Sequence, residues 1–328
     1  MRIKLGVIGT GMAWHKLHLP ALKRLSDKYE IVALCDIDED KVLAAAKKLN
    51  ISKENIYTDY LDLLRREDID TIDLLVPIKE NYPIARDVLI AGKNLIAEKP
   101  FAAMPDEAEE LITIKDERKL KVMVAENFRY EECYKIIKEI VYSKRLGEVN
   151  YFMLHTGADF ENDMNGDTFA SREWRQRPEF PGGIFLDGGI HDIALLRFLF
   201  GEATDLCAKA IRQAKSYCEF QSIQCLIEFD DQISGHYTYC SDSKEYNKNL
   251  IGLRIFFREG ELYLASKECG KIQLYLKNGK KVKIKFQPEQ GCYNELLNYA
   301  EGNIISTPEK ELGDIKLIHA ILSKLKEE

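Results

Sequence analysis

Continuously apolar runs alternate with amphipathic stretches along the first third of the chain. IKLGVIG, EIVALCD, TIDLLVP, NLIAEKP and KVMVAEN are such runs, and a shorter one is NIYTD. Between them, segments such as EDKVLAAAKKLN place apolar residues at helical spacing, with Asn50 positioned to end that helix. Continuous apolar runs are typical of strands buried on both faces. This part of the chain therefore predicts a doubly wound parallel sheet with helices on both sides.

The pattern changes after Glu126. EECYKIIKEIVYSKR predicts a helix and VNYFMLHTG a strand, and a polar loop follows to about Pro181. GIHDIALLRFLFGE indicates one helix. From about Asp205 to Phe286, short runs separated by turn signals such as DD, REGE and KNGKK predict an antiparallel sheet of meandering hairpins. Two helices, around CYNELLNYAEG and DIKLIHAILSKLKEE, end the sequence.

The length of 328 residues suits two domains. We predict an N-terminal Rossmann domain over residues 1–125. An α+β domain with an open, mostly antiparallel sheet is predicted over residues 126–328, and its last helix is a candidate to pack back on the first domain. Strand–helix alternation in the first part and hairpins in the second make the fold class α/β.

The net charge and the hydropathy of the chain argue against two classes of protein, nucleic-acid binders and membrane proteins. The net charge of −7 argues against a general nucleic-acid binder. No apolar stretch approaches the roughly 20 residues that cross a bilayer, which argues against a membrane protein. The first apolar run passes directly into a glycine turn, so a signal peptide is not predicted and a cytoplasmic location is expected.

The eight cysteines are scattered and include no CxxC pair. We expect them to be reduced residues that contribute to packing. Their spacing is not that of a structural zinc site, and no metal is expected.

A glycine fingerprint lies between the first strand and the helix that follows it. In Gly9-Thr10-Gly11, Gly9 permits a tight turn and Gly11 lets the backbone approach a pyrophosphate at the helix N-terminus. Trp14 stands where the full fingerprint has a small third residue. Either Ala13 takes over the close helix–strand packing, or the helix starts slightly differently.

Asp36 ends the second strand and indicates which cofactor binds. A carboxylate there accepts hydrogen bonds from the adenosine ribose hydroxyls and repels a 2′-phosphate. The segment Ile37 to Asp40 offers no cation to hold such a phosphate, so NAD is predicted over NADP. The alternative is that Asp36 only caps the next helix, a role that suits Asp38 better.

Lys99 is the first candidate for acid–base chemistry. It follows Glu98 and precedes Pro100 at the end of strand five, where ligands of open parallel sheets gather. Pro100 turns the chain there, which directs Lys99 into the crevice and suits it to proton transfer. The alternative is a solvated lysine beside a turn.

Asp187 and His191 are four residues apart in GGIFLDGGIHDIALLRFLF. They share one helix face if the helix extends back to Asp187, and with a lysine they can relay a proton during alcohol oxidation. The alternative is structural: Asp187 caps the helix, and His191 is a buried histidine whose hydrogen bonds are made within the protein. A zinc site is disfavoured because no further histidine or cysteine clusters nearby.

These motifs resemble the glucose–fructose oxidoreductase / inositol dehydrogenase / MocA (Gfo/Idh/MocA) family. The matching segments are IGTG with HLPAL, the EKP tripeptide, EWRQRPEFPGGIFLDGGIHDI, and LRIFFREGELYL around Gly260. The resemblance implies that Lys99, Asp187 and His191 are catalytic or orient the substrate, with His191 as the main acid/base. It also implies a homodimer or homotetramer formed through the open sheet, which an exposed sheet face favours independently.

Further site residues are expected around these. The resemblance places Pro77 near the cofactor, whereas Tyr82 stands where many members have a histidine. Arg129 and Tyr130 follow strand six. Trp174 is a candidate to stack on a sugar, or equally to pack, and Arg175 to hold a hydroxyl, carboxylate or phosphate. The predicted cofactor-binding set is Gly9, Thr10, Gly11, Met12, Ala13, Asp36, Ile37, Pro77, Glu98 and Lys99. The predicted substrate-binding set is Lys99, Arg129, Tyr130, Trp174, Arg175, Asp187 and His191.

Together these features predict an oxidoreductase that transfers a hydride between NAD and a CH–OH group of a polyol, sugar or sugar derivative. Two alternatives use the same fold. One is a non-catalytic NAD-linked sensor or regulator, and the other is NAD-assisted glycoside hydrolysis, in which the hydride is removed and later returned.

Overall fold

A computed structural model describes residues 2–242 and 251–326. Clustering of its contacts divides the chain into two units. One consists of Met1–Asn127 with Cys292–Leu312, and the other of Phe128–Gly291 with Gly313–Glu328. The chain thus leaves the first unit after Asn127 and contributes to it again near its C-terminal end.

The first unit is built on a parallel sheet. Its strands are β1 (Ile3–Ile8), β2 (Tyr29–Cys35), β3 (Ile56–Tyr57), β4 (Thr71–Leu74), β5 (Asn94–Glu98) and β6 (Val122–Ala125). Its helices are α1 (Leu19–Arg24), α2 (Glu39–Leu49), α3 (Tyr60–Leu64), α4 (Ile78–Ile90) and α5 (Pro105–Arg118), with a π-helical turn at Trp14–His18 and a 3₁₀ turn at Lys53–Asn55. In the strand order β3-β2-β1-β4-β5-β6, β2 and β3 lie on one side of β1 and β4, β5 and β6 on the other, as in a doubly wound sheet. The predicted Rossmann fold is confirmed.

Local signals place the ends of α2 where the sequence predicts. Asp38 caps α2 by accepting a hydrogen bond from the backbone N–H of Lys41, and Asn50 ends the helix with a φ of 55°. Asparagine tolerates this left-handed conformation better than most side chains, which explains the stop at that position.

The second unit combines a mixed sheet with helices. Its helices are α6 (Glu132–Ser143), α7 (Phe160–Met164), α8 (Glu173–Gln176) and α9 (Ile184–Phe200). Its strands are β7 (Val149–Gly157), β8 (Ala203–Arg212), β9 (Phe220–Phe229), β10 (Ser234–Cys240), β11 (Gly252–Phe257), β12 (Gly260–Leu264), β13 (Lys271–Leu276) and β14 (Lys281–Lys285). Short 3₁₀ turns lie at Asn127–Tyr130, Phe169–Ser171 and Asp230–Gln232. Two further helices close the chain, α10 (Gly291–Glu301) in the first unit and α11 (Pro308–Lys324), within which the division between the units falls.

The sheet order corrects the predicted meander. The strands run β14-β13-β12-β11-β7-β10-β9-β8, so β7 is inserted between two hairpin systems and pairs in parallel with β10. Hairpin signals identify neighbours that are close in sequence, whereas β7 reaches its partners across long connections. The sheet is therefore mostly antiparallel, as predicted, but it is not a continuous meander.

Two other segments differ from the prediction. The expected polar loop before Pro181 contains α7, α8 and the turn at Phe169–Ser171, which are too short to show a periodic pattern. The strand β14 alternates lysines with apolar residues at the edge of the sheet. Such charged edges are typical of strands that must avoid pairing with other chains.

The helix α9 forms the core of the second unit with one face of this sheet. The ring of Phe200 stacks on that of Phe152 with centroids 4.8 Å apart, and Phe185 packs edge-on against Tyr239 at 5.2 Å. Along β7, Phe152 and Leu154 are buried while Tyr151 and Met153 are exposed. The sheet therefore has an apolar inner face and a second face that carries exposed apolar side chains. No helix in the described ranges has the length and apolar content that a membrane span requires.

Candidate functional site

The glycine turn after β1 has the shape of a phosphate cradle. Gly9 has a φ of +96°, and a Cβ there would lie 2.2 Å from the carbonyl oxygen of Leu75, so only glycine fits. At Gly11 a Cβ would meet no heavy atom of the described residues within 4 Å. This open space at the start of a helix is what a pyrophosphate group requires.

Trp14 does not fill the space beside this turn. It is fully buried and begins the π-helical turn Trp14–His18. Helical structure starts before it, and the backbone N–H of His15 donates to the carbonyl of Gly11. The large side chain is thus accommodated in the interior by a local change of helical winding. Met12 and Ala13 are half-buried at the helix start, and their contact with a cofactor stays a prediction.

Asp36 is held in place by three hydrogen bonds. Its Oδ2 accepts from the backbone N–H of Thr10 at 2.7 Å and from the Thr10 hydroxyl at 3.0 Å, and its Oδ1 accepts from the N–H of Asp38 at 3.1 Å. The helix cap is Asp38, so Asp36 is not needed for that role. Beside it Ile37 is 91% exposed, which leaves an apolar surface next to the carboxylate.

The backbone around Lys99 is fixed by a residue that the sequence did not single out. Asn81, which is buried in α4, donates from Nδ2 to the carbonyl oxygens of Glu98 at 3.1 Å and Pro100 at 2.8 Å. The N–H of Lys99 also donates to Oε2 of Glu98 at 3.1 Å. Lys99 itself is partly exposed at the carboxyl end of β5. Its backbone is therefore rigid, and its side chain is accessible.

Tyr82 lies in α4, and Pro77 immediately precedes that helix. Pro77 is the N-cap residue of α4 and is half-buried, at the carboxyl side of β4. The hydroxyl of Tyr82 donates to Glu110 at 2.6 Å, and Arg86 donates to the same carboxylate at 2.7 Å. Tyr82 thus joins α4 to α5.

In the second unit, Asp187 is paired with an arginine. The helix α9 begins at Ile184, so Asp187 and His191 lie one turn apart within it, as predicted. Arg175 donates to Asp187 from Nε at 2.5 Å and from Nη2 at 3.3 Å. This two-bond pairing with a mostly buried carboxylate fixes both side chains. The structure shows that Arg175 positions Asp187, and the predicted contact of Arg175 with a substrate stays a prediction.

Trp174 lies beside this pair. The guanidinium of Arg175 stands 4.0 Å from the centroid of its ring, a cation–π contact. Phe180 lies 6.3 Å away, centroid to centroid. The indole is half-buried, so packing accounts for part of its surface, and stacking on a sugar stays a prediction.

His191 is oriented by a neighbour that the sequence did not indicate. Its ring stacks on Phe128 with centroids 4.5 Å apart and planes inclined by 12°. The ammonium of Lys267 lies 4.8 Å from the centroid of Phe128. The adjacent Asp192 is buried and accepts from Tyr237 at 2.9 Å and Thr156 at 2.6 Å. The partly exposed imidazole thus stands beside a carboxylate with a structural role.

Arg129 and Tyr130 face the interior. Arg129 is 2% exposed and donates from Nη2 to Asp314 at 2.5 Å, and Arg197 pairs with the same carboxylate. Tyr130 is completely buried. Their contact with a substrate stays a prediction, whereas the Arg129–Asp314 pair connects the start of this unit to α11.

The glycine turn, the strand-two aspartate and the doubly wound sheet are the features of a dinucleotide-binding domain. Comparison with known proteins supports this interpretation of the first unit. Residues 3–126 match the model of an oxidoreductase family with an NAD-binding Rossmann fold, and residues 134–263 match the GFO/IDH/MocA C-terminal domain. The chain belongs to the Gfo/Idh/MocA oxidoreductase family, which confirms the resemblance seen in its motifs.

Individual relatives are similar to this chain over much of its length. An uncharacterized protein of Saccharomyces cerevisiae is 30% identical over 262 residues, which are 79% of this chain and 72% of that protein. D-apiose dehydrogenase of Paraburkholderia graminis is 29% identical over 211 residues, 64% of this chain and 53% of that enzyme. The crystal structure of an oxidoreductase from Thermotoga maritima, 26% identical, superposes with a TM-score of 0.86 and covers 99% of this chain and 97% of that one.

Proposed function

We propose that this protein is an NAD-dependent dehydrogenase that acts on a CH–OH group of a polyol, sugar or sugar derivative. The observation that carries the proposal lies within the first unit. The glycine turn follows β1 and Lys99 follows β5, and in this parallel sheet both strands end at the same edge. Lys99, which we propose orients the substrate, thus shares with the glycine turn the edge at which open parallel sheets bind ligands.

The residues present fit a nicotinamide dinucleotide. When bound, it supplies the hydride acceptor or donor. The open backbone at Gly11 and the N–H groups that follow would hold the pyrophosphate, and Asp36 would accept from the adenosine ribose. The complete set proposed to hold the cofactor is Gly9, Thr10, Gly11, Met12, Ala13, Asp36, Ile37, Pro77, Glu98 and Lys99.

In the proposed mechanism, the residue that accepts the substrate's hydroxyl proton belongs to the second unit. His191 takes the proton of the substrate hydroxyl while the hydride leaves carbon, and Lys99 orients that oxygen. Asp187, held by Arg175, hydrogen-bonds the substrate, and Trp174 provides a flat apolar surface for a sugar. These assignments follow the family motif, and the fixed geometry of Asp187 and His191 supports them.

Replacing Asp36 tests the proposed preference for NAD. We expect Asp36→Ala to raise KM for NAD roughly 10- to 100-fold, the equivalent of losing hydrogen bonds to a charged acceptor. The variant also removes the repulsion of a 2′-phosphate, so the NAD-to-NADP ratio of kcat/KM falls. Steady-state kinetics with both cofactors measures this. Asp38→Ser, which keeps a helix cap, is the matched control and should leave the ratio unchanged. An unaltered ratio in Asp36→Ala would contradict the assignment.

An absorbance screen tests the activity itself. The chain is mixed with NAD and a panel of inositols, aldoses including D-apiose, sugar phosphates and nucleotide sugars, and NADH formation is followed. We expect NADH with at least one class. Calorimetric binding of NAD and a sugar with no NADH would contradict the proposal and favour a sensor. Glycoside cleavage with tightly held NAD and no net NADH would favour hydrolysis.

The outer face of the second unit's sheet supports a proposed oligomer. Met153 and Leu226 are exposed there, and both lie opposite His236 on the strand between them. Exposed Tyr151 stacks on Phe256 on the same sheet at 4.2 Å. We expect a homodimer or homotetramer through this face, because large exposed apolar patches are typical of interfaces. Light scattering after size exclusion should show a multiple of the chain mass, reduced in Met153→Glu/Leu226→Glu. A monomeric parent chain would overturn this.

A further inference from the structure

A buried acidic cluster surrounds His18 inside the first unit. His18 and Glu295 are each 1% exposed, and Asp73 is wholly inaccessible. The side chain of Glu98 is 14% exposed and lies beside the imidazole. Several carboxylates thus share the interior with a single imidazole, an arrangement that costs free energy unless a cation or protons balance the charge.

One imidazole nitrogen of His18 is already committed. Its Nδ1 lies 3.0 Å from Oδ2 of Asp73, a hydrogen bond that fixes the ring. Its Nε2 has no hydrogen-bond partner within residues 2–242 and 251–326 and stands 3.4 Å from Oε1 of Glu98. A carboxylate that holds one nitrogen and leaves the other directed at an open coordination position is the usual setting of a metal-binding histidine.

Two further donor groups converge on the same place from α10. An imidazole nitrogen of His18, the Sγ of Cys292 and a carboxylate oxygen of Glu295 all lie within 4.8 Å of one another. Among the described residues, the buried Oε2 of Glu295 also has no hydrogen-bond partner. Ligand atoms around a tetrahedral zinc ion are about 3.3–3.8 Å apart, given bond lengths of about 2.0–2.3 Å. Small side-chain rotations would therefore bring the three groups into contact with an ion.

We propose that His18, Cys292 and Glu295 bind a divalent cation of the zinc class, with Glu98 as the fourth ligand. The mixed set of nitrogen, sulfur and oxygen donors suits zinc, cobalt or ferrous iron. Magnesium and calcium prefer oxygen ligands alone and are disfavoured. The ligands come from opposite ends of the sequence, so their spacing could not reveal them, and the scattered cysteines gave no zinc signature.

The site has a structural consequence for Lys99. Glu98 presents Oε1 toward His18, and its Oε2 accepts from the backbone N–H of Lys99. A cation bound here would join the end of β5 to the π-helical turn Trp14–His18 and to α10. It would stabilise this unit and fix the backbone that carries Lys99. This role is independent of whether the protein is a dehydrogenase.

Cobalt(II) is the probe that tests the proposal. The full chain is stripped with a chelator and titrated with cobalt(II), and then with zinc(II) in competition. We expect one ion per chain, visible ligand-field bands of a tetrahedral complex, and a thiolate-to-cobalt charge-transfer band. Zinc should displace cobalt and raise the melting temperature of the stripped protein. Absence of stoichiometric binding, or a cobalt spectrum without the thiolate band, would overturn the proposal.

Variants separate this site from adventitious binding. Cys292→Ser should lose the charge-transfer band, and Asp73→Asn should weaken binding about 10- to 100-fold by freeing the imidazole. Cys133→Ala removes a different buried thiol, in the second unit, and should bind cobalt as the parent chain does. A charge-transfer band retained in Cys292→Ser contradicts the ligand assignment. The spectrum of the unmodified chain keeps the test valid if a variant fails to fold.

Discussion

Replacing Lys99 by alanine should lower kcat roughly 10²–10³-fold, the cost of removing one positioned donor to a developing negative charge on oxygen. The ammonium is expected to orient the substrate hydroxyl, and the sequence from Asn94 to Met104 contains no other cationic residue that could replace it. Binding of NAD, measured by fluorescence or calorimetry, should change little because the glycine turn and Asp36 are untouched. Turnover is measured with the substrate that the screen identifies.

The structure indicates that the Lys99→Ala variant should fold as the parent chain does. Lys99 is partly exposed, and its backbone is held by Asn81 through the carbonyls on either side, so the truncation should not unfold the unit. Lys47→Ala, at an exposed position on α2, is the matched control and should retain full turnover. Normal turnover of the Lys99→Ala variant would remove Lys99 from the mechanism.

His191→Asn should reduce kcat by about 10²–10⁴-fold, because a side-chain amide does not ionise near neutral pH and cannot act as a general acid or base. Asparagine keeps a polar group of comparable size beside Phe128, so the loss would report chemistry and not packing. The pH profile of kcat should also lose the limb that reflects the general base. His319→Asn, in α11, serves as the control.

A second outcome distinguishes positioning from proton transfer. If His191→Asn raised KM and left kcat and its pH profile unchanged, His191 would bind the substrate without acting as acid or base. The proposed role would then be contradicted even though the residue remained in the site.

The features that local sequence dictates were predictable. Apolar runs with glycine and proline stops identified the Rossmann strands, and the 3.6-residue pattern after Gly189 predicted most of α9. The helix begins earlier, at Ile184, which meets the condition for Asp187 and His191 to lie one turn apart. The glycine turn was predicted because strand, Gly9 and helix follow one another directly. Each of these signals is contained within about 20 residues of sequence, the length of a single element with its caps.

Interactions between distant segments were not predictable. The insertion of β7 into the sheet depends on pairing with strands far along the chain. The pair Arg175–Asp187 forms because a short helix in the expected loop turns the arginine toward α9. Asn81 gave no signal, since a lone asparagine in an amphipathic helix normally faces solvent. The cluster at His18 draws Glu295 from the other end of the sequence.

The central claim is that Lys99, Asp187 and His191 act on one substrate hydroxyl next to the nicotinamide. A crystal structure of the protein with NAD and the substrate found by the screen measures this directly. The account predicts that Lys99 Nζ and the His191 imidazole each lie about 3 Å from the hydroxyl whose carbon faces the nicotinamide ring. It would be contradicted if Lys99 and the Asp187–His191 pair occupied separate surfaces, remote from the Gly9 turn.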